Sequence, residues 1–257
     1  MNAVTAFDAL ARSYDTVFTN SVLGRVYREA TWRWLDAAFE PGQQVLEVGC
    51  GTGEDAIHLA RRGVRVVATD PAGAMIEATR AKADAAGVGQ LVTAHQIDAQ
   101  HIHELVGKFD GAFSSFGALN LVPDLARVAD RIADRLRPRA RLVLGIMGPF
   151  VPWEWVWYLV RGQPAKAFRR LRRGGVLWHE LTVRYPTPRT VRTLFNQKFR
   201  LVRTGALGVL VPPPYAESFA RQHPRITRTL DRWERAIETV APLPWLADHF
   251  QMEFVRR

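Results

Sequence analysis

Three glycines at alternate positions, Gly49, Gly51 and Gly53, follow directly on the apolar run Val45-Leu-Glu-Val48, and this junction constrains the chain more than any other segment. Pro41-Gly42 punctuates the sequence just upstream. Residues 44–49 therefore read as a buried strand that enters a tight glycine turn and then a helix ending near Arg62. The same unit recurs. Gly63 leads into a second apolar strand over residues 64–69 that ends at Asp70-Pro71, and a helix through Met75, Ile76 and Ala83 follows. A third strand spans residues 91–97 with Asp98 at its end, and a fourth spans 109–114 with 115–120 as its trailing loop. A helix over 124–136, a break at Pro138 and a strand over 141–147 complete the series. Short apolar strands alternating with helices of about 10–15 residues specify a doubly wound, mostly parallel α/β sheet.

Both flanks of this series are predicted to be helical. Phe7, Leu10, Ala11, Tyr14 and Phe18 recur at helical spacing, and a second helix is expected over residues 21–38. Beyond Pro149 the alternation stops, and residues 150–180 read as a helical insertion. Pro164 can open a helix that Gly174-Gly175 ends, and within it Lys166, Arg169, Arg170 and Arg173 share one face, which makes it a basic amphipathic helix. Trp153, Val156, Trp157 and Val160 form an apolar stripe just before it. A helix over 187–197, a strand over 199–209, helical structure over 215–240 and a closing strand over 249–256 follow, with no internal repeat.

Charge divides the chain at the same place. The 257 residues carry 35 Lys and Arg against 25 Asp and Glu, a net charge of +10, yet residues 1–148 are net −1 and residues 149–257 net +11. Six of the eight tryptophans (Trp153, Trp155, Trp157, Trp178, Trp233 and Trp245) also fall in the second part. The expected organisation is an α/β domain with an N-terminal helical lid over 1–148. A basic, Trp-rich cap follows over 149–257 and returns closing strands to the same sheet, so the two form one structural unit. At 47% apolar and 23% charged residues the composition is that of an ordinary globular protein. One cysteine, Cys50, excludes an intramolecular disulfide and a multi-cysteine zinc site and suits a reducing, cytoplasmic setting. The first residues lack the basic and apolar regions of a signal peptide. The apolar stretch 142–160 is interrupted by Gly145, Gly148, Pro149, Pro152 and Glu154, so no membrane span is expected.

The chemistry sits at the strand ends. Glycines in this register let the backbone approach a ligand and leave helix N–H groups facing it. A phosphate-binding Walker loop needs Gly-Lys-Ser/Thr, which is absent, and a dinucleotide fingerprint would need glycine where Glu54 stands. Asp70, 21 residues after Gly49, ends the second strand, where an acidic residue accepts two hydrogen bonds from a ribose diol. Asp98 ends the third and can accept from an exocyclic amine. Ribose and adenine are implied, with no reader of phosphate.

On these residues the chain resembles the class I S-adenosylmethionine-dependent methyltransferases of small-molecule type, over residues 5–147 and the last strand. The resemblance implies a seven-stranded Rossmann-like sheet with the cap inserted after the fifth strand, S-adenosylmethionine as cofactor, and methyl transfer to a small-molecule acceptor. It matches Glu47, Gly49, Gly51 and Gly53 to the family's glycine motif, Asp70 to its ribose acid, Asp98 with Ala99 to its adenine-side acid, and Met75 to the apolar residue beside the adenine. Tyr14 corresponds to the helix that lids the cofactor, and Ser114 completes the expected cofactor set. The family's cap commonly contacts the acceptor, which makes Trp153 and Trp157, with Asn120 from the loop after the fourth strand, the candidate acceptor contacts. The cap's aromatics imply a lipophilic or aromatic acceptor. The stripe Lys166/Arg169/Arg170/Arg173 has three open destinations: an anionic group on the acceptor, peripheral contact with an anionic membrane, or solvent. The acceptor atom (O, N, S or C) and the oligomeric state are left open.

Transfer of a methyl group from a sulfonium is an in-line displacement, so a dry, aligned pocket accounts for much of the rate, and an acceptor alcohol alone demands a general base. His95, His101, His103, His179, Glu180 and Tyr158 fall near the expected cleft, but no motif singles one out and no catalytic residue is assigned. Residues 114–120 offer no carboxylate cluster, so no metal is expected. Two alternatives stand beside this reading: an RNA methyltransferase, and a non-catalytic binding module of the same fold. Base-methylating relatives hold a flipped base with an Asp/Asn-Pro-Pro-Tyr/Phe loop after the fourth strand. Here that position reads Ser114-Ser-Phe-Gly117, while Pro212-Pro-Pro-Tyr215 lies beyond the fifth strand and reads as a turn before a helix. The complete set Gly49, Gly51, Gly53, Asp70 and Asp98 opposes a decayed, non-catalytic module.

Overall fold

Alternating faces organise the molecule. The computed structural model describes residues 7, 8, 11, 14–178 and 181–257; Leu10, His179 and Glu180 fall outside them. The strands in chain order are β1 (Gln44–Val48), β2 (Arg65–Asp70), β3 (Val92–Gln96), β4 (Phe109–Ser114), β5 (Leu136–Met147), β6 (Val176–Trp178), β7 (Leu181–Val183), β8 (Phe199–Leu207) and β9 (His249–Arg256). Seven of them make one sheet in the order β3-β2-β1-β4-β5-β9-β8. The first five run parallel, and β9 and β8 join antiparallel. The expected seven-stranded, mostly parallel sheet is therefore present, and its last two strands come from the C-terminal part of the chain.

Successive side chains of a strand point to opposite faces, and a sheet covered by helices on both sides must be apolar on both. Leu46 and Val48 of β1 enter one core with Leu142 and Leu144 of β5 and Phe250 and Phe254 of β9. Val45 joins the other with Val66, Phe113 and Val143. The first core is covered by α4 (Leu125–Arg135), whose Leu125, Val128, Ala129, Ile132 and Ala133 are buried at helical spacing. The second is covered by α1 (Val22–Ala38), α2 (Glu54–Arg61) and α3 (Gly73–Ala85). Ser21 caps α1 by accepting from the Gly24 N–H, which is why that helix begins where the sequence places it.

Three local expectations are corrected. Pro138 does not separate α4 from the fifth strand: β5 already pairs at Leu136 with Phe109, and the ladder shifts before Gly111 pairs with Arg141. Proline is tolerated at such an irregularity because no ladder donor is needed there, and Arg139 takes a left-handed φ of 64° beside it. The insertion after Pro149 is not wholly helical. It contains α5 (Pro152–Leu159) and a four-residue α6 (Pro164–Ala167), and ends in the β6–β7 ribbon. The basic stripe is not one helix face either: after α6 only a single 3-10 turn, Arg169–Leu171, follows, and Arg170 is buried. Its Nε donates to Glu154 Oε2 at 2.7 Å and its Nη2 to Asp248 Oδ1 at 2.6 Å. Two buried carboxylates require a cation there, and this demand overrides the helical pattern. The remaining elements are α7 (Pro188–Phe195), α8 (Glu217–Gln222) and α9 (Pro224–Ile237). Residues 214–216 form a 3-10 turn ahead of α8, as the Pro-Pro-Pro-Tyr run implied.

Candidate active site

The ends of β1, β2, β3 and β4 open onto a cavity of about 480 Å³. In a doubly wound sheet this is the expected place, since ligands bind outside the carboxyl ends of the strands. The glycine turn forms its floor. Gly49 has φ 79°, and a Cβ there would stand 2.3 Å from the Ala118 Cβ, so the turn can close against the loop after β4 only without a side chain. Gly51 has φ 53° and nothing within 4 Å of its Cβ position, so its backbone faces open cavity. Gly53 instead packs on Thr79 and begins α2; it does not line the cavity.

Two acids and one arginine give this end its polarity. Asp70 accepts from the Gly51 N–H at 3.0 Å and from the Ala72 N–H at 3.0 Å. Burial pushes its carboxyl up to about 6 despite those bonds, with Asp8 and Asp98 adding to the rise. Glu47 is buried, and burial raises its carboxyl well above the usual range; Asp55 adds to the rise while Arg28 opposes it. One of its oxygens, Oε2, has no partner. Arg28 projects from α1 into the same end, where Nη1 meets Asp55 Oδ1 at 3.1 Å and Nη2 meets Thr19 Oγ1 at 3.2 Å. Its guanidinium faces the Phe18 and Phe116 rings at 5.5 and 5.0 Å, and its Nε is unpartnered. Two acids whose carboxyls burial raises and a buried arginine thus share one pocket.

The N-terminal segment closes over it. The Asp8 carboxylate accepts from the Ala74 N–H at 2.9 Å, at the start of α3. Asp15 accepts from Thr52 Oγ1 at 2.7 Å and from Lys82 Nζ at 2.9 Å, which ties the segment to the glycine turn. Tyr14 lines the cavity, and burial raises its phenol, so it stays protonated. Phe7 reaches across to Trp178 of the β6–β7 ribbon, with ring centroids 5.7 Å apart. The rest of the lining is largely apolar, with Leu119, Val122, Leu181 and Val183 beside Tyr185 and Arg169.

Of the residues singled out in the sequence, Tyr14, Glu47, Gly49, Gly51, Asp70, Met75, Asp98 and Ala99 line this one cavity. Ser114 does not; its hydroxyl donates to the Val48 carbonyl at 2.7 Å inside the sheet. Asn120 is fully buried, its Nδ2 donating to Met147 O and its Oδ1 accepting from Met147 N, so its amide fixes backbone and does not face the cavity. Trp153 and Trp157 do not line it either. Trp157 packs on Tyr215 at 5.5 Å with Arg161 over its ring at 3.6 Å, and Val156 and Val160 of the expected stripe are exposed. Trp178 is the cap tryptophan that does line it.

None of His95, His101, His103 and Tyr158 reaches the cavity. Cys50 does, but burial holds its thiol well above the usual range, so it is no nucleophile. Among the described residues no group of three metal-ligating side chains is clustered, and no helix is long and apolar enough to cross a membrane. Arg28, Phe116, Leu181 and Tyr185 were missed in the sequence. Only Arg28 left a trace there: it falls on the buried face of α1 with Thr31 and Leu35, a place where arginine needs a partner.

Comparison with known proteins agrees with this geometry. Residues 45–139 match the family model of a methyltransferase domain. The chain is 36% identical over 155 residues to a demethylmenaquinone methyltransferase of Beutenbergia cavernae, a match covering 58% of this chain and 60% of that protein. It is 32% identical over 171 residues to the demethylmenaquinone methyltransferase of Corynebacterium urealyticum, covering 63% of this chain and 69% of the relative. The matched stretch thus spans about two thirds or less of each relative's length. An S-adenosylmethionine-dependent methyltransferase from Mesorhizobium loti shares the fold, with a TM-score of 0.56 at 20% identity over 89% of this chain and 98% of that one. With the glycine turn, the two strand-end acids and the seven-stranded sheet in one arrangement, the chain belongs to the class I S-adenosylmethionine-dependent methyltransferase family.

Proposed function

We propose that this protein transfers the methyl group of S-adenosylmethionine to a lipophilic or aromatic small molecule held under the cap. The observation that carries this reading is the mixed lining of the first cavity, which joins the glycine turn and the acids Glu47, Asp70 and Asp98 to the apolar side chains of Leu119, Val122, Leu181 and Val183. The polar lining fits the cofactor. Glu47 Oε2 and Arg28 Nε are buried without partners, and buried polar atoms left unmade are costly unless a ligand completes them. They would hold the ammonium and carboxylate of the amino-acid moiety, Asp70 the ribose hydroxyls, and Asp98 and Met75 the adenine. When bound, S-adenosylmethionine supplies a methyl group on a positively charged sulfur. The chain's own part is alignment and exclusion of water: Tyr14 and Phe7 cover the cavity from the N-terminal segment, and Trp178 and Leu181 wall it from the cap. Tyr185, its phenol raised by burial and therefore protonated at neutral pH, can donate to an oxygen of the acceptor.

Demethylmenaquinone, named for the two relatives, is a lipophilic acceptor of the kind the apolar lining suits and is the first to assay. Such an acceptor resides in membranes, and the cap surface supports peripheral contact with one. Val156, Leu159, Val160, Phe168, Leu171, Leu177 and Trp178 are exposed there, among six basic and no acidic residues between 156 and 178. RNA is disfavoured, because the loop after β4 is apolar and closes against Gly49. Calorimetric titration of S-adenosylmethionine against the wild type and Asp70→Ala tests the proposal: binding is expected in the wild type and a loss of at least tenfold in the variant. Equal affinity in both would remove the assignment.

A further inference from the structure

A second cavity, of about 460 Å³, adjoins the first, and Val122, Pro123 and Tyr185 line both. Its chemistry differs. Arg172, Arg173 and Arg184 line it together with Phe150, Leu171 and Leu194, and no described carboxylate does. Arg170, which also lines it, is already neutralised by Glu154 and Asp248. Arg172 and Arg173 are exposed and make no ion pair among the described residues. Arginines and apolar side chains lining one cavity suit an oxyanion carried on an apolar body, since Arg can fork onto carboxylate or phosphate while the apolar residues take the carbon chain.

We propose that this second cavity binds the oxyanionic end, phosphate or carboxylate, of an elongated and otherwise apolar acceptor whose methylated end occupies the first cavity. The inference rests on the acceptor reading above and adds to it the acceptor's length and charge. Tyr185 stands where the two parts of such a molecule would meet, with the Arg170 guanidinium 5.1 Å from its ring, so its position is held by the buried ion-pair network.

The test is calorimetric titration of octyl phosphate, octanoate and octanol, below their micellar concentrations, into the full chain with and without S-adenosylhomocysteine. At least one of the two anions is expected to bind tenfold or more tightly than octanol, and comparison of the two shows whether phosphate or carboxylate is preferred. R172E/R173E should abolish that tenfold preference while leaving the affinity for S-adenosylhomocysteine unchanged. Leu194→Trp, which fills the second cavity without touching the first, should weaken the preferred anion as strongly, with an unchanged thermal transition verifying its fold. Equal binding of anions and octanol by the wild type, or full anion affinity in R172E/R173E, overturns the proposal. Loss of S-adenosylhomocysteine binding by the wild type would instead overturn the cofactor reading, so the two failures are distinguishable.

Discussion

Replacing Arg170 by Met is expected to destabilise the protein far more than any other change to the cap's basic residues. The guanidinium is 8% exposed, contacts Glu154 at 2.7 Å and Asp248 at 2.6 Å, and donates to the carbonyls of Gly148 and Asp248 at 3.2 Å. Met preserves much of the volume, so the loss isolates the charge: two buried carboxylates lose the cation they share, leaving Glu154 with the partly exposed Arg169 and Asp248 with His249. Removing one partner of a buried ion pair costs about 3–5 kcal/mol. Arg169, a third exposed and bonded to Glu154 alone, should lose about 1 kcal/mol or less on substitution by Met. Urea unfolding at pH 7 separates the two. The pH dependence gives a second check. Burial alone would raise the Asp248 carboxyl, but Arg170 and His249 overcome it and hold the group well below the usual carboxylate range. A depressed folded-state value contributes stability above the unfolded value, about 4, and loses it as the pH falls toward the folded one. The gap between wild type and Arg170→Met should therefore be widest above about pH 5 and shrink below pH 4. A variant within about 1 kcal/mol of wild type at pH 7 would refute the buried network and restore a solvated stripe.

Four further outcomes are expected, three at the site and one on the exposed apolar surface. Because the ionised form of Asp70 is the better acceptor for ribose hydroxyls and its carboxyl is pushed up to about 6, affinity for S-adenosylmethionine should fall up to about tenfold per pH unit below that value and level off above it. A flat calorimetric profile between pH 5 and 8 would contradict this. Gly49→Ala, with φ 79° and a Cβ 2.3 Å from the Ala118 Cβ, should lower the thermal midpoint. The clash and the left-handed strain together cost about 2–4 kcal/mol. Gly51→Ala, whose new Cβ meets nothing within 4 Å, should cost about 1 kcal/mol and act mainly on cofactor affinity. Val160 and Leu177 are 74% and 72% exposed, so Val160→Asp/Leu177→Asp should release the protein from phosphatidylglycerol vesicles in flotation without moving its unfolding midpoint; equal flotation of wild type and variant would count against membrane contact.

The sheet and the cofactor end were legible because burial there follows from local pattern. β4 and β9 have the bounds their apolar runs imply, Phe109–Ser114 and His249–Arg256. Asp70 and Asp98 stand at strand ends that a parallel sheet turns toward one crevice. The β6–β7 ribbon was illegible, since strands of three residues are too short to show an alternation of period two. Phe116, Leu181 and Tyr185 come to line one cavity only after the ribbon folds over the loop that follows β4, so no spacing along the chain announces them.

Arg170 shows the limit most clearly. Positions i, i+3, i+4 and i+7 establish which side chains would share a helix face, but not whether that face meets water or a buried counter-ion. Glu154 and Asp248, remote from each other in sequence, each need a cation once the cap packs on the end of β9, and Arg170 serves both. Satisfying them costs the helix its continuation beyond Ala167 and leaves Arg172 and Arg173 on the far side of the turn, against the second cavity. A pattern that reads as one basic stripe is thus divided by tertiary electrostatics into a buried structural residue and exposed arginines beside a cavity. Arg169→Met and Arg170→Met should therefore differ in stability, whereas R172E/R173E should alter only what binds.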